Sequence, residues 1–118
     1  MIDVKPYAAE KLKDIAAVEL SFNGGLRTLP VIVMTETGGS AEVVIQNSER
    51  VSRYTLQLDV YAETMEEAEE IAAQVSSTMT KAGFRRNFSE SVYDEDAVRR
   101  CMRFICGIDE VSGRIVAI

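Results

Sequence analysis

One stretch, Arg53 to Gly83, changes its hydrophobic period from two to about 3.6 across a short polar joint. Only a strand running straight into a helix satisfies both halves. Tyr54, Leu56, Leu58, Val60 and Ala62 alternate with Arg53, Thr55, Gln57 and Asp59. That alternation predicts a strand over 53–62 with one buried face and one face solvated or covered by a partner. Thr64-Met65-Glu66-Glu67 then has the form of a capping box, the Thr64 hydroxyl accepting from the Glu67 N–H while the Glu67 carboxylate reaches back to the cap. Beyond it Met65, Ala68, Ala72, Val75, Met79 and Ala82 form an apolar stripe at spacings of three and four. Glu66, Glu67, Glu69 and Glu70 crowd the first turns, where the positive end of the helix dipole favours them. Lys81 sits near the other end, and Gly83 suits a left-handed residue just past the helix.

The remaining segments are read against this unit. Val4 to Glu19 predicts a helix, with Val4, Ala8, Leu12, Ile15 and Ala16 on one stripe and Pro6 in the first turn. Asn23-Gly24-Gly25 predicts a loop, Leu29 to Thr35 a strand, Gly38-Gly39-Ser40 a turn and Ala41 to Gln46 a short strand. Phe84 to Ser89 and Val98 to Ile108 predict a hairpin joined by a polar loop holding Asp94, Glu95 and Asp96. Ile115 to Ile118 is too short to classify and would suit an edge of the sheet. The expected fold is a single α+β domain over residues 1–118: an antiparallel or mixed sheet of about four to six strands, with two helices packed on one face.

Charge is distributed in two unlike parts. The net charge of −6 opposes non-specific contact with phosphate backbones. Residues 81–103 nevertheless carry six of the thirteen Lys and Arg against four of the nineteen acids, a local +2 that leaves −8 elsewhere. No apolar run approaches the ~20 residues that span a bilayer, and MIDVKPYAAEKL has no secretory h-region, so no membrane contact and a reducing compartment are expected. Cys101 and Cys106 are five apart and would face opposite sides of a strand, as buried free thiols. With no histidine, no hydroxyl or thiol has a neighbouring imidazole base, and a zinc site would need an unusual carboxylate set. Asp94-Glu95-Asp96 lacks the EF-hand ligand pattern, and neither glycine pair forms a phosphate loop. The expectation is a protein without catalysis, cofactor or metal.

The clustered arginines admit three readings. Matching apolar faces across the hairpin would put Phe84 and Phe88 with Val98, Met102 and Phe104. Arg86 and Arg100 would share that face, and Arg85 and Arg103 the other; one register sets Phe88 opposite Arg100, another sets Arg86 opposite Arg100. The arginines are then a solvated surface, a nucleic-acid grip, or a protein interface. Core roles for the phenylalanines and the acidic net charge weigh against specific nucleic-acid binding. A protein partner suits Arg85, Arg86, Arg99, Arg100 and Arg103, and Glu66, Glu67, Glu69 and Glu70 of a neighbouring copy are candidate complements.

The order VKPYAAEKLKDI, TLPVIVMTE, SRYTLQLDVYAET, EEAEEIAAQV, GFRRNFSESVYDED, VRRCMRFICGID resembles the tail terminator or tail completion proteins of tailed phages and prophages, over roughly residues 4–109. That resemblance implies a virion assembly protein, made in the host cytoplasm, that forms a usually hexameric ring at the head-proximal end of the tail. Such a ring stops growth of the tube, and its implied partners are itself, the major tail tube protein and the head–tail connector. The neighbouring alternatives are another connector or minor tail component, or a non-viral cytoplasmic interaction domain. Within this reading the Gly24-Gly25 loop and the 90–96 loop are candidate axial contacts.

Overall fold

The computed structural model describes residues 4–19, 28–46, 49–93, 97–109 and 111–116, with backbone alone for 36–46, 49 and 50. The loops at Asn23-Gly24-Gly25 and Asp94-Glu95-Asp96, and residues 117–118, lie outside the described residues. The elements are α1 (Val4–Leu12), β1 (Ala17–Glu19), β2 (Val31–Gln46), β3 (Glu49–Ala62), α2 (Met65–Lys81), β4 (Arg85–Tyr93), β5 (Val98–Asp109) and β6 (Ile115–Val116). The strands form one mixed sheet in the order β1-β2-β3-β5-β4, with β6 paired to β5. Both helices lie on one face of it, so the fold is α+β as the period switch predicts.

The alternation in β3 decides which face is covered. Leu56, Leu58 and Val60 point towards the helices with Ile32 and Met34 of β2 and Met102, Phe104, Cys106 and Ile108 of β5. Into this layer α2 sends Ile71, Ala72, Val75 and Met79, and α1 sends Val4, Ala8 and Leu12. Ala68 of α2 is also fully buried, and Ile71 joins the stripe although the spacing argument omitted it. Removing one of these large side chains, Phe104 for example, would cost about 3–5 kcal/mol through lost burial and an unfilled cavity.

Two predicted features change. The first helix ends at Leu12, not Glu19. Lys13 N–H donates to the Ala9 carbonyl at 3.1 Å and Ile15 N–H to that of Leu12 at 3.0 Å, closing a turn. Ala17 to Glu19 then pair in parallel with Val31 to Val33, because a free sheet edge offers their backbone partners that a polar helix end does not. The expected turn at Gly38-Gly39-Ser40 does not reverse the chain. β2 continues through it, and the pairing moves from Thr37↔Thr55 to Glu42↔Arg53, so β2 spends three more residues than β3 there. Glycines in a strand mark such bulges as readily as they mark turns. Ile115 and Val116 do close onto an edge, opposite Ile108 and Gly107 of β5.

Candidate functional site

The capping box and the glycine hold α2 at a fixed length. Thr64 Oγ1 accepts from Glu67 N–H at 3.2 Å, and Glu67 Oε1 accepts from the N–H of Glu63, one residue before the cap, at 3.4 Å. At the far end Gly83 adopts φ +102°. Phe84 N–H donates to the Met79 carbonyl and Gly83 N–H to that of Thr80, at 3.0 and 3.1 Å, in the Schellman pattern. These bonds occupy carbonyls at the helix end and turn the chain so that Phe84, 3% exposed, enters the core. The next residues, Arg85 and Arg86, open β4 on the rim of the helix layer.

Register in the β4–β5 hairpin decides where the arginines go. Arg85 lies opposite Ile105 and Arg86 opposite Phe104, but Phe88 lies opposite Arg103. One extra residue at Asn87 is a bulge, and it transfers every later side chain of β4 to the other face. Phe88 therefore leaves the face of Phe84 and Phe104 on which it was expected. It stacks under Arg103, whose guanidinium carbon is 4.8 Å from the ring centroid, in place of the expected contact with Arg100. Arg100 is instead opposite Ser91, to whose hydroxyl its Nη1 donates at 2.7 Å. Arg86 and Arg100 are on the helix side, as expected, and Arg85, Arg99 and Arg103 on the other.

The helix-free face carries a polar chain across β5 and β3. Arg103 Nε donates to Gln57 Oε1 at 3.4 Å, and Gln57 Nε2 donates to Asp59 Oδ2 at 2.9 Å. Arg99 Nε stands 3.6 Å from Asp59 Oδ1, a charge pair without a hydrogen bond between those atoms. Asp59 is only 5% exposed, on the face that the strand pattern left as solvated or covered by a partner. Burial lowers the pKa of Arg99, but a hydrogen bond with Tyr61 and the charge of Asp59 outweigh it and leave the pKa raised. Beside this pair, burial and then Asp59 push the Cys101 thiol up to about 11. Burial alone pushes Cys106, on the helix side, up to about 12. Both cysteines are free and buried, as predicted, and neither is a ready thiolate nucleophile.

Two charged ends remain. At the end of α2, an open groove of about 680 Å³ is lined by the hydroxyl residues Ser76, Ser77 and Thr80, the cations Lys81, Arg85 and Arg86, and Phe84. Arg86 Nη1 donates to Ser76 Oγ at 3.2 Å, while Lys81 and Arg85 have no ion pair among the described residues. Among the described residues no carboxylate lines the groove. At the start of α2, Glu66, Glu69 and Glu70 are exposed and have no ion pair among the described residues, whereas Glu67 is partly covered and belongs to the cap. The nine interface candidates therefore separate. Arg99, Arg100 and Arg103 are committed within the chain, and Arg85 and Arg86 meet Lys81, which the arginine count had passed over. Among the described residues no group of three His, Cys, Asp or Glu could hold a metal, and no helix is long and apolar enough to cross a membrane.

The sequence model of the family described as tail completion protein gp17 matches residues 10–106. No curated protein matches the chain. A chain from the virion of a native gene transfer agent particle has a similar fold, with TM-score 0.63 at 13% identity, over 92% of this chain and 90% of the other.

Proposed function

Because this chain belongs to the tail completion protein gp17 family, we propose that it is a phage or prophage tail protein that forms a ring, hexameric as its resemblance to tail terminators implies, at the head-proximal end of the tail. In that position it halts addition of tube subunits and offers the head connector a surface to join. The observation that carries this reading is the family match, which spans both helices' packing partners and the whole sheet from β2 into β5. The fold shared with a chain of a gene transfer agent virion supports it. The work is recognition, not bond chemistry: one side complements the last tube ring and the other does not repeat tube structure.

Charge also supports assembly with copies of itself. Arg85, Arg86, Arg99, Arg100 and Arg103 on one subunit would face Glu66, Glu67, Glu69 and Glu70 on the next, a contact between unlike patches of the kind that closes rings. Arg85 and Arg86 carry most of that role, since both are exposed and Arg86 bonds only the Ser76 hydroxyl, while the others are half-buried or held by Asp59, Ser91, Gln57 and Phe88. The test is to add the purified protein to tube subunits growing in vitro and measure tube lengths by electron microscopy. Tubes that stop lengthening, with extra density at one end only, are the expected result. Unchanged lengths in the presence of folded protein would refute the terminating role.

A further inference from the structure

Resting on the self-assembly reading above, we infer that the groove of Lys81, Arg85 and Arg86 is the receptor for one segment of a second copy: the first two turns of its α2, through Glu66, Glu69 and Glu70. Among the described residues the groove presents three cations and three hydroxyl residues and no carboxylate. Its natural ligand is a cluster of carboxylates, each able to accept from a guanidinium and a hydroxyl together. The helix-end carbonyls that would repel such a ligand are partly occupied: Met79 and Thr80 accept from Phe84 and Gly83.

Among the described residues no carboxylate lines the groove, and the acidic start of the chain's own α2 cannot reach it. Glu66 and Lys81 lie on the same rigid helix, 15 positions apart and so separated by about 22 Å along the axis. Among the described residues each end of α2 is left with unmatched charge of opposite sign, and both ends are exposed. A second copy brings the missing sign in a preformed helical array, where Glu66, Glu69 and Glu70 are adjacent at spacings of three and four. The capping box holds that array rigid, so little ordering is needed when it docks. The contact joins unlike surfaces, so each copy both gives and receives.

The test uses two charge-reversed full-length chains, Lys81→Glu/Arg85→Glu and Glu66→Lys/Glu69→Lys, with circular dichroism confirming that each is folded. Sedimentation at low salt should show the unmodified protein self-associating, and each variant alone associating at least about tenfold more weakly, the size expected when two exposed pairs turn repulsive. Mixed in equal amounts, the variants should recover association, because both alternating contacts are again attractive. Raising the salt should weaken both the original and the rescued assembly. Association unaffected by the groove variant, or no rescue on mixing, would overturn the proposed contact while leaving tube capping, measured separately, free to succeed. Failure to self-associate at any concentration would overturn it as well. So would a short single-stranded DNA bound by the original protein and lost in the groove variant, without self-association, which would assign the groove to phosphate.

Discussion

Gly83→Ala isolates how α2 hands the chain to the arginine-bearing strand. Two separate costs are readable at this position. Gly83 holds φ +102°, a region L-residues rarely adopt, at a cost of about 1–3 kcal/mol. A Cβ there would also lie 2.7 Å from Ile115 Cγ2 and 3.8 Å from Ile115 Cβ, so the Ile115 side chain must move. Displacing it from its rotamer adds about 0.5–1.5 kcal/mol. The expected loss is about 2–4 kcal/mol, measured by urea denaturation followed by circular dichroism with an unchanged m-value. The double variant Gly83→Ala/Ile115→Ala removes the collision and leaves the backbone cost, so it should be less destabilised than the two single losses added together, by about 1 kcal/mol. An additive cycle would refute the steric half of the reasoning. A loss under about 0.5 kcal/mol in Gly83→Ala itself would refute both halves.

Thr64→Ala should cost about 1 kcal/mol by denaturation, since the Glu67 N–H loses its acceptor, and Thr64→Ser should restore most of it. Asp59→Ala should cost about 2 kcal/mol, as Gln57 Nε2 loses its acceptor and Arg99 the charge beside it; solvent screening limits the second loss, because the Arg99 side chain is 32% exposed. Cys101 and Cys106 titrate above the ordinary thiol value of 9.0, at about 11 and about 12. The unfolded chain therefore releases thiol protons before the folded one does. Stability is complete below pH 9 and falls above it, by up to about 1.4 kcal/mol per pH unit for each thiol until its folded pKa is reached. A Cys101→Ala/Cys106→Ala chain should lose that alkaline slope, and thiol labelling of the original at pH 8 should be slow until denaturant is added.

What could be read in advance followed local rules. The β3 alternation, the Thr64 cap and Gly83 each rest on neighbours within a few residues, and each matches the structure, while the Glu67 carboxylate accepts from Glu63, one residue before the cap. The misreadings occur where tertiary pairing overrides the local signal. Ile15 and Ala16 continue the helical spacing of α1, but the open edge of β2 claims the backbone immediately after them. Gly38-Gly39 looks like a reversal and is absorbed as a bulge because β3 remains beside it. Asn87 carries no mark that would distinguish a bulged residue from a paired one, yet it alone moves Phe88 to Arg103. The candidate interface suffered most from this. Five clustered arginines looked alike in one dimension; the register divides them between two faces, and only the folded end of α2 sets Arg85 and Arg86 together apart from the other three. Asp59 was hidden for the same reason: its burial depends on neighbours from β2 and β5, Val33 and Cys101, which are distant in the chain.

The strand order β1-β2-β3-β5-β4 has a consequence for how the molecule comes into being on a ribosome. β5 lies between β3 and β4 but is made after both. When Tyr93 has been synthesised, β2 and β3 can already pair and α2 can already form, while β4 has no strand beside it and the inner edge of β3 is bare. The late arrival of β5 supplies 12 pairings to β3 and closes the gap in one event. Folding of the whole sheet therefore waits on contacts distant in sequence, a slow class of event. A nascent chain stalled before Val98 would expose two strand edges at once, the state in which sheets recruit the wrong partner.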